Sequence, residues 1–216
     1  MNFQSLEKIV KDGMNGMNNG IPMGFDRLNR YIGIRKSIYT LVGGLTGSGK
    51  TSFVDDAYVL NPYDWYISPE GQASGIKLRI IYRSMERNRV YKLAKWVSRK
   101  IFIDQGVTIP VSKLLGWSNE KLTHDEHDFF LMYKDYIDGM SETIQIIDGP
   151  ENPVGIAKHI KEFALANGTI EEIDEYSKVY VPNDDNMITI IIVDHAGLLK
   201  VTKDNPNKKS AIDKMS

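Results

Sequence analysis

Ser37-Ile-Tyr-Thr-Leu-Val42-Gly43-Gly44-Leu45-Thr46-Gly47-Ser48-Gly49-Lys50-Thr51-Ser52 is the stretch on which the fold turns. Residues Ser37–Val42 are rich in β-branched and aromatic side chains, which predicts a strand. Gly43-Gly44 ends it, and a helix is expected from about Lys50. From Gly44 to Thr51 the residues match G-x-x-x-x-G-K-[ST]. Glycines at these places let the backbone wind tightly, so that successive N–H groups face phosphate oxygens, and the helix N-terminus adds partial positive charge. Lys50 would then reach the β- and γ-phosphates of a nucleoside triphosphate, and the Thr51 hydroxyl would ligate Mg²⁺. The nucleotide-binding candidates are Gly44, Thr46, Gly47, Ser48, Gly49, Lys50, Thr51 and Ser52. The alternative is a glycine-rich turn with an exposed lysine; the position between a strand and a helix argues for the phosphate loop.

Downstream, strand and helix patterns alternate. A second strand is expected over Lys77–Ser84 (KLRIIYRS). A helix follows over about Arg89–Ile103, with apolar residues at Val90, Leu93, Ala94, Val97 and Ile101. Another helix is expected over about His124–Asp138, opened by Thr123 with Glu126 three residues on, a capping-box pattern. Thr143–Ile147 reads as a third strand. Pro153 opens a helix that runs to Ala166 and stops at Asn167-Gly168. Thr169–Asp185 reads as an acidic, irregular insertion, and Met187–Val193 as the fourth strand. Ile188-Thr-Ile-Ile-Ile-Val193 is apolar on both faces, as a covered parallel strand must be. The alternation predicts an α/β fold with a parallel, doubly covered sheet. Upstream, Leu6–Lys11 reads as a short helix, and Gly13–Gly20 as a flexible Gly/Asn joint.

The 216 residues suit one α/β domain with a core of its own. A net charge of -1 advertises no global attraction to nucleic acid, so any such contact must be local. The absence of cysteine excludes a disulfide scaffold and a Cys-ligated zinc site, and it suits a reducing cytoplasm. The first residues carry no apolar signal core. The longest apolar run, Ile188 to Val193 interrupted by Thr189, is far too short for a membrane span.

Two carboxylates stand where a nucleotide site needs them. Asp194 ends the fourth strand, at the edge where open α/β sheets bind ligands, and would hold Mg²⁺ together with Thr51. It also reads as a turn residue or helix cap. Glu86 follows the second strand in Ser84-Met85-Glu86-Arg87. It is placed either to deprotonate an attacking water or to complement the dipole of the next helix, and spacing leaves both readings open. His195 either senses the γ-phosphate or couples to DNA-facing loops, or it packs beneath the site or bonds a neighbouring carbonyl, and the second pair of readings is the commoner for such a residue. His124, His127 and His159 show no metal-ligand pattern. Arg87, Arg89, Lys92, Lys95 and Arg99 read as the solvated face of a helix, with a phosphate-tracking face as the less common alternative. Tyr63, Trp65, Tyr66, Trp96, Trp117, Tyr133 and Tyr136 read as core or interface residues rather than base-stacking platforms.

Taken together, these motifs resemble the RecA-like motor domain of DnaB-type replicative helicases, especially phage versions. The resemblance lies in Gly24-Phe25-Asp26-Arg27-Leu28-Asn29, the P-loop, Ser84-Met85-Glu86 and Asp194-His195, and covers roughly Ile21 to the C-terminus. It implies a RecA-like P-loop NTPase fold with helices on both faces of the sheet. It implies ATP and Mg²⁺ as cofactors, with Glu86 as catalytic base beside Lys50. The partners it implies are single-stranded DNA, further copies in a hexameric ring, and a primase or a loader. It implies no membrane partner and a cytoplasmic setting, the host's if the protein is phage-encoded. Residues 1–20 would be a linker helix and joint that packs on a neighbouring subunit, and 21–216 the N-terminal part of the ATPase domain. The family places one more strand between the P-loop strand and the Asp strand, and a trans-acting arginine, both later in sequence. The sheet is therefore expected to be incomplete and the chain alone nearly inactive. By the same analogy, Lys203, Lys208 and Lys209 fall in a pore loop. A RecA-like recombination filament protein, a regulatory NTP switch and a non-hydrolysing NTP-binding protein would share the phosphate loop, and the first two also Glu86 and Asp194.

Overall fold

The computed structural model describes residues 3–14, 20–172 and 178–195. Two compact units emerge, one built from the chain up to Leu78 with Ile188–Ile190, the other from Arg79 onward save those three residues.

The first unit opens with α1 (Phe3–Met14), longer than the expected short helix, whose Leu6, Ile9 and Val10 are about half exposed. An antiparallel bridge joins Ile21 to Ile34 and encloses the short α2 (Asp26–Asn29). After an irregular, exposed stretch the chain enters α3 (Lys50–Asp55), a π-helical turn (Asp56–Leu60) and α4 (Asn61–Ile67) without a break; α5 (Pro69–Ala73) follows. The π turn has a cause in the sequence. Pro62 has no N–H to give, and its ring would press on the carbonyl four residues back in a regular helix. The lead-in is clamped to this helix. Asn61 Nδ2 donates to Met23 O at 2.9 Å, Met23 N–H donates to Asn29 Oδ1 at 2.8 Å, and Phe25 stacks on Phe53 at 5.5 Å. Gly24 has φ +78°, and a Cβ there would meet Asn61 at 2.1 Å, so glycine is required both for the turn and for the close approach.

The sheet consists of β1 (Lys77–Ser84), β2 (Ile144–Asp148) and β5 (Met187–Asp194) in the order β2-β1-β5, with β1 and β2 parallel in the register Ile80↔Ile144 to Ser84↔Asp148. The α/β class with a small parallel sheet is therefore present. Alternation along β1 sends side chains to opposite faces. Tyr82 meets α6 (Arg89–Gln105) through Trp96 at 5.6 Å, whereas Ile81 and Arg83 face α10 (Pro153–Asn167) with Ile156, Ile160 and Phe163. Helices cover both faces. A second cluster gathers Val97, Ile101, Ile109 and Tyr133 with α7 (Val111–Leu114) and α8 (His124–Leu131).

Three expectations need correction. Ser37–Val42 forms no strand: no ladder partner lies beside it among the described residues, and Ile38, Tyr39 and Leu41 are 63–79% exposed. Strand propensity is realised only against a neighbour. The helix from His124 is two helices, α8 and α9 (Lys134–Thr143), and the break sets the Tyr133 ring into the core with its hydroxyl 3.1 Å from Asp104 Oδ2. The supposedly irregular insertion contains an antiparallel pair, β3 (Gly168–Glu172) and β4 (Lys178–Pro182), in the register Gly168↔Pro182. Its β-branched residues pair across the strands while Glu172 and Lys178 form an ion pair, so the acidity had masked the alternation.

Candidate nucleotide-binding site

In the first unit, Gly44–Thr51 forms a tight loop that feeds directly into α3. Gly47 and Gly49 have φ of +78° and +85°, values that L side chains rarely adopt, and Gly49 is the residue from which the helix starts. A Cβ on Gly44 would lie 2.6 Å from Ser48 Oγ, so this position too admits glycine alone without rearrangement. Ser48 N–H donates to Leu45 O, and Phe53 N–H to Gly49 O closes the first helical turn. The N–H groups of Gly47 and Gly49 make no hydrogen bond among the described residues. Lys50 folds back over the loop and donates from Nζ to Gly44 O at 2.9 Å and to Leu45 O at 2.8 Å. The loop thus combines special-φ glycines, backbone donors without partners among the described residues, a lysine lying along it, and a helix N-terminus beneath it. Thr51 and Ser52 occupy the first turn of α3, and Thr46 the loop itself.

In the second unit, Asp194 closes β5 and Glu86 lies just beyond the end of β1. Met85 N–H donates to Asp194 O at 2.8 Å, which brings the two strand ends side by side. The Asp194–His195 peptide bond is cis. The Glu86 side chain is about half exposed and lies 3.9 Å from His195 Nε2 and 3.9 Å from Arg87 Nε, outside hydrogen-bond range of both. The His195 side chain is 44% exposed.

Asp194 is buried and engaged. Tyr82 donates its hydroxyl to Asp194 Oδ2 at 2.7 Å, and Lys92 Nζ donates to the same oxygen at 3.1 Å and to the Tyr82 oxygen at 2.5 Å. The ammonium also lies 4.3 Å from the centre of the Tyr82 ring. Lys92 is 1% exposed, which corrects its reading as a solvated helix residue. Sequence reasoning missed both partners. The available signal was the spacing along α6: Lys92 precedes Trp96, Val97 and Ile101 on the stripe that turns inward. Tyr82 and Lys92 thus fix the orientation of this carboxylate at the sheet edge. Among the described residues no group of three or more His, Asp or Glu is arranged to hold a metal ion by itself.

A cavity of about 250 Å³ opens between α10 and the sheet, lined by Ile81, Ile147, Ile160, Phe163 and Val193 with Arg83 at its wall, and none of the expected nucleotide residues reaches it. Among the described residues no helix is long and apolar enough to cross a membrane. Lys203, Lys208, Lys209 and the rest of the tail beyond His195 lie outside the described residues. Comparison with known protein families, with characterised proteins and with solved structures finds no match to this chain.

Proposed function

We propose that this chain is the nucleotide-binding part of a RecA-like, DnaB-type motor domain, in which ATP hydrolysis drives movement along single-stranded DNA within a hexameric ring. The observation that carries the reading is the loop Gly44–Thr51, whose positive-φ glycines, Lys50 and following helix form the arrangement a triphosphate requires. Mg²⁺ and ATP, when bound, supply the phosphoryl group and the divalent charge that offsets its oxygens. Lys50 exchanges its two carbonyl acceptors for phosphate oxygens, and the loop N–H groups fix the β-phosphate. Thr51 would offer its hydroxyl to the metal. Glu86, open to solvent at the end of β1, orients the attacking water and takes its proton, with His195 beside it. The half-exposed apolar stripe of α1 supports its reading as a linker helix that docks on a neighbouring subunit.

Lys50→Ala tests the reading. Calorimetric titration with ATP in Mg²⁺ should show affinity reduced by roughly 10- to 100-fold, because a charged hydrogen bond to phosphate is lost. Equal affinity and equal turnover in the variant would rule out the phosphate-loop assignment.

A further inference from the structure

In the second unit, the start of α6 carries an aromatic arrangement that the proposed nucleotide chemistry does not use. Tyr91 and Trp117 lie face to face, ring centroids 6.1 Å apart and planes within 12°. The Arg87 guanidinium sits over the Tyr91 ring at 4.9 Å. Trp117 is 61% exposed, although large aromatics are normally drawn into cores or interfaces. The main chain that carries each ring is fixed: Asn88 Oδ1 accepts the Tyr91 backbone N–H at 2.9 Å, and the Trp117 backbone N–H donates to Ser112 O at 2.7 Å beyond a left-handed Gly116. Arg87 Nε lies 3.9 Å from Glu86 Oε1 in a loose ion pair whose two side chains are about half exposed, so water screens it strongly.

We infer that Arg87, Tyr91 and Trp117 form a stacking platform for an unpaired nucleobase of a single nucleic-acid strand. A pre-stacked aromatic pair offers its outer π-face to any base, and guanidinium groups attract the adjoining phosphates. Arg89 is exposed next to the pair, and Lys95 and Arg99 follow Tyr91 at four-residue spacing along α6, so cations continue along one ridge of the helix. The surroundings disfavour a protein partner. The exposed neighbours are Glu86, Arg87, Asn88, Arg89, Asn119, Glu120 and Lys121, with Val90 apolar among them. A stable protein interface buries about 800 Å² on each side around an apolar centre, and two rings in a polar setting fall well short of that. The inference gives the single-strand partner of the proposed motor a location, and it rests on that reading.

The test uses the 216-residue chain and a fluorescently labelled oligodeoxythymidine, with strand binding followed by anisotropy and stacking by tryptophan emission. The wild-type emission should fall as the strand binds. Trp117→Phe should keep the affinity within a few-fold but lose that quenching, leaving only the response of Trp65 and Trp96. Trp117→Ala should weaken binding about 5- to 100-fold. Arg87→Ala should lower the steepness of the salt dependence. Because Trp117 and Arg87 are exposed, the variants should unfold at the wild-type urea concentration, which checks that the fold is intact. Wild-type affinity in Trp117→Ala, quenching by a duplex equal to that by the strand, or no strand binding at all would each overturn the platform. If Lys50→Ala loses ATP while Trp117→Ala binds the strand normally, the motor reading survives and the platform does not. If Trp117 reports a strand but no triphosphate binds, the platform survives and the motor reading fails.

Discussion

Lys92 Nζ stands 3.1 Å from Asp194 Oδ2, in an ion pair whose two side chains are 1% and 8% exposed. Charges withdrawn from water in this way depend on each other, because either one alone would be left buried without compensation. Lys92→Met should therefore destabilise the protein by about 3–5 kcal/mol, read from urea unfolding. The double variant Lys92→Met/Asp194→Asn should recover much of that loss, since no uncompensated charge remains. Additive losses in the double variant would show that the pair is not coupled.

Glu86→Gln should separate binding from chemistry. The amide keeps the shape of the carboxylate but cannot take a proton. ATP affinity should stay at the wild-type value while turnover, measured as phosphate release wherever the wild type is active, falls about 10²- to 10⁴-fold. Wild-type turnover in the variant would leave Glu86 as a residue that merely complements the dipole of α6.

Gly24 reports on the clamp between the lead-in and the phosphate-loop helix. Gly24→Ala places a methyl group against Asn61 at a backbone angle of +78°, and should cost about 1–3 kcal/mol of stability. Adding Asn61→Ala should relieve the collision but not the backbone strain, so thermal unfolding of the double variant should show partial recovery. A Gly24→Ala protein as stable as the wild type would mean that the lead-in does not lie against Asn61.

Glu126 gives stability a dependence on acidity. The Lys113 ammonium at 2.6 Å, followed by the Thr123 N–H, holds its carboxyl below the ordinary glutamate value. A depressed folded-state value means that the stabilisation is complete above the ordinary carboxylate range and is lost as pH falls through the lowered one. Glu126→Gln should be less stable than the wild type at neutral pH, and the two stability curves should meet in acid. A constant offset at every pH would assign the effect to packing. Thr123→Ala, which removes the reciprocal cap, should cost about 1 kcal/mol at neutral pH.

The sequence was most legible where local chemistry decides the structure. β1 falls on Lys77–Ser84 as its apolar alternation predicts, the capping box at Thr123 and Glu126 is formed, and α3 begins at Lys50 because Gly49 can take the angle that starts it. It was misleading where the outcome depends on what lies across from a residue. Ser37–Val42 has the composition of a strand but no neighbour to pair with among the described residues. Lys92 has the composition of a surface residue, yet Tyr82 and Asp194, distant in sequence, supply the partners that make its burial tolerable. Trp117 has the composition of a core or interface residue, and nothing local to it reveals that it is 61% exposed with Tyr91 stacked against it.

The π-helical turn at Asp56–Leu60 fixes the chain length of the helix behind the phosphate loop. Asn61 N–H reaches back to Asp56 O, so the turn takes in one residue more than regular winding would. Every side chain from Asn61 onward is thereby rotated by roughly 100° against those of Lys50–Asp55. Loss of a single residue between positions 56 and 60 would restore ordinary winding, drive the Pro62 ring against a carbonyl, and swing Tyr63, now 2% exposed, toward water. It would also carry Asn61 away from Met23 and release the lead-in. Point substitutions in this stretch can be absorbed one at a time, whereas a one-codon deletion would change the phase of the whole helix.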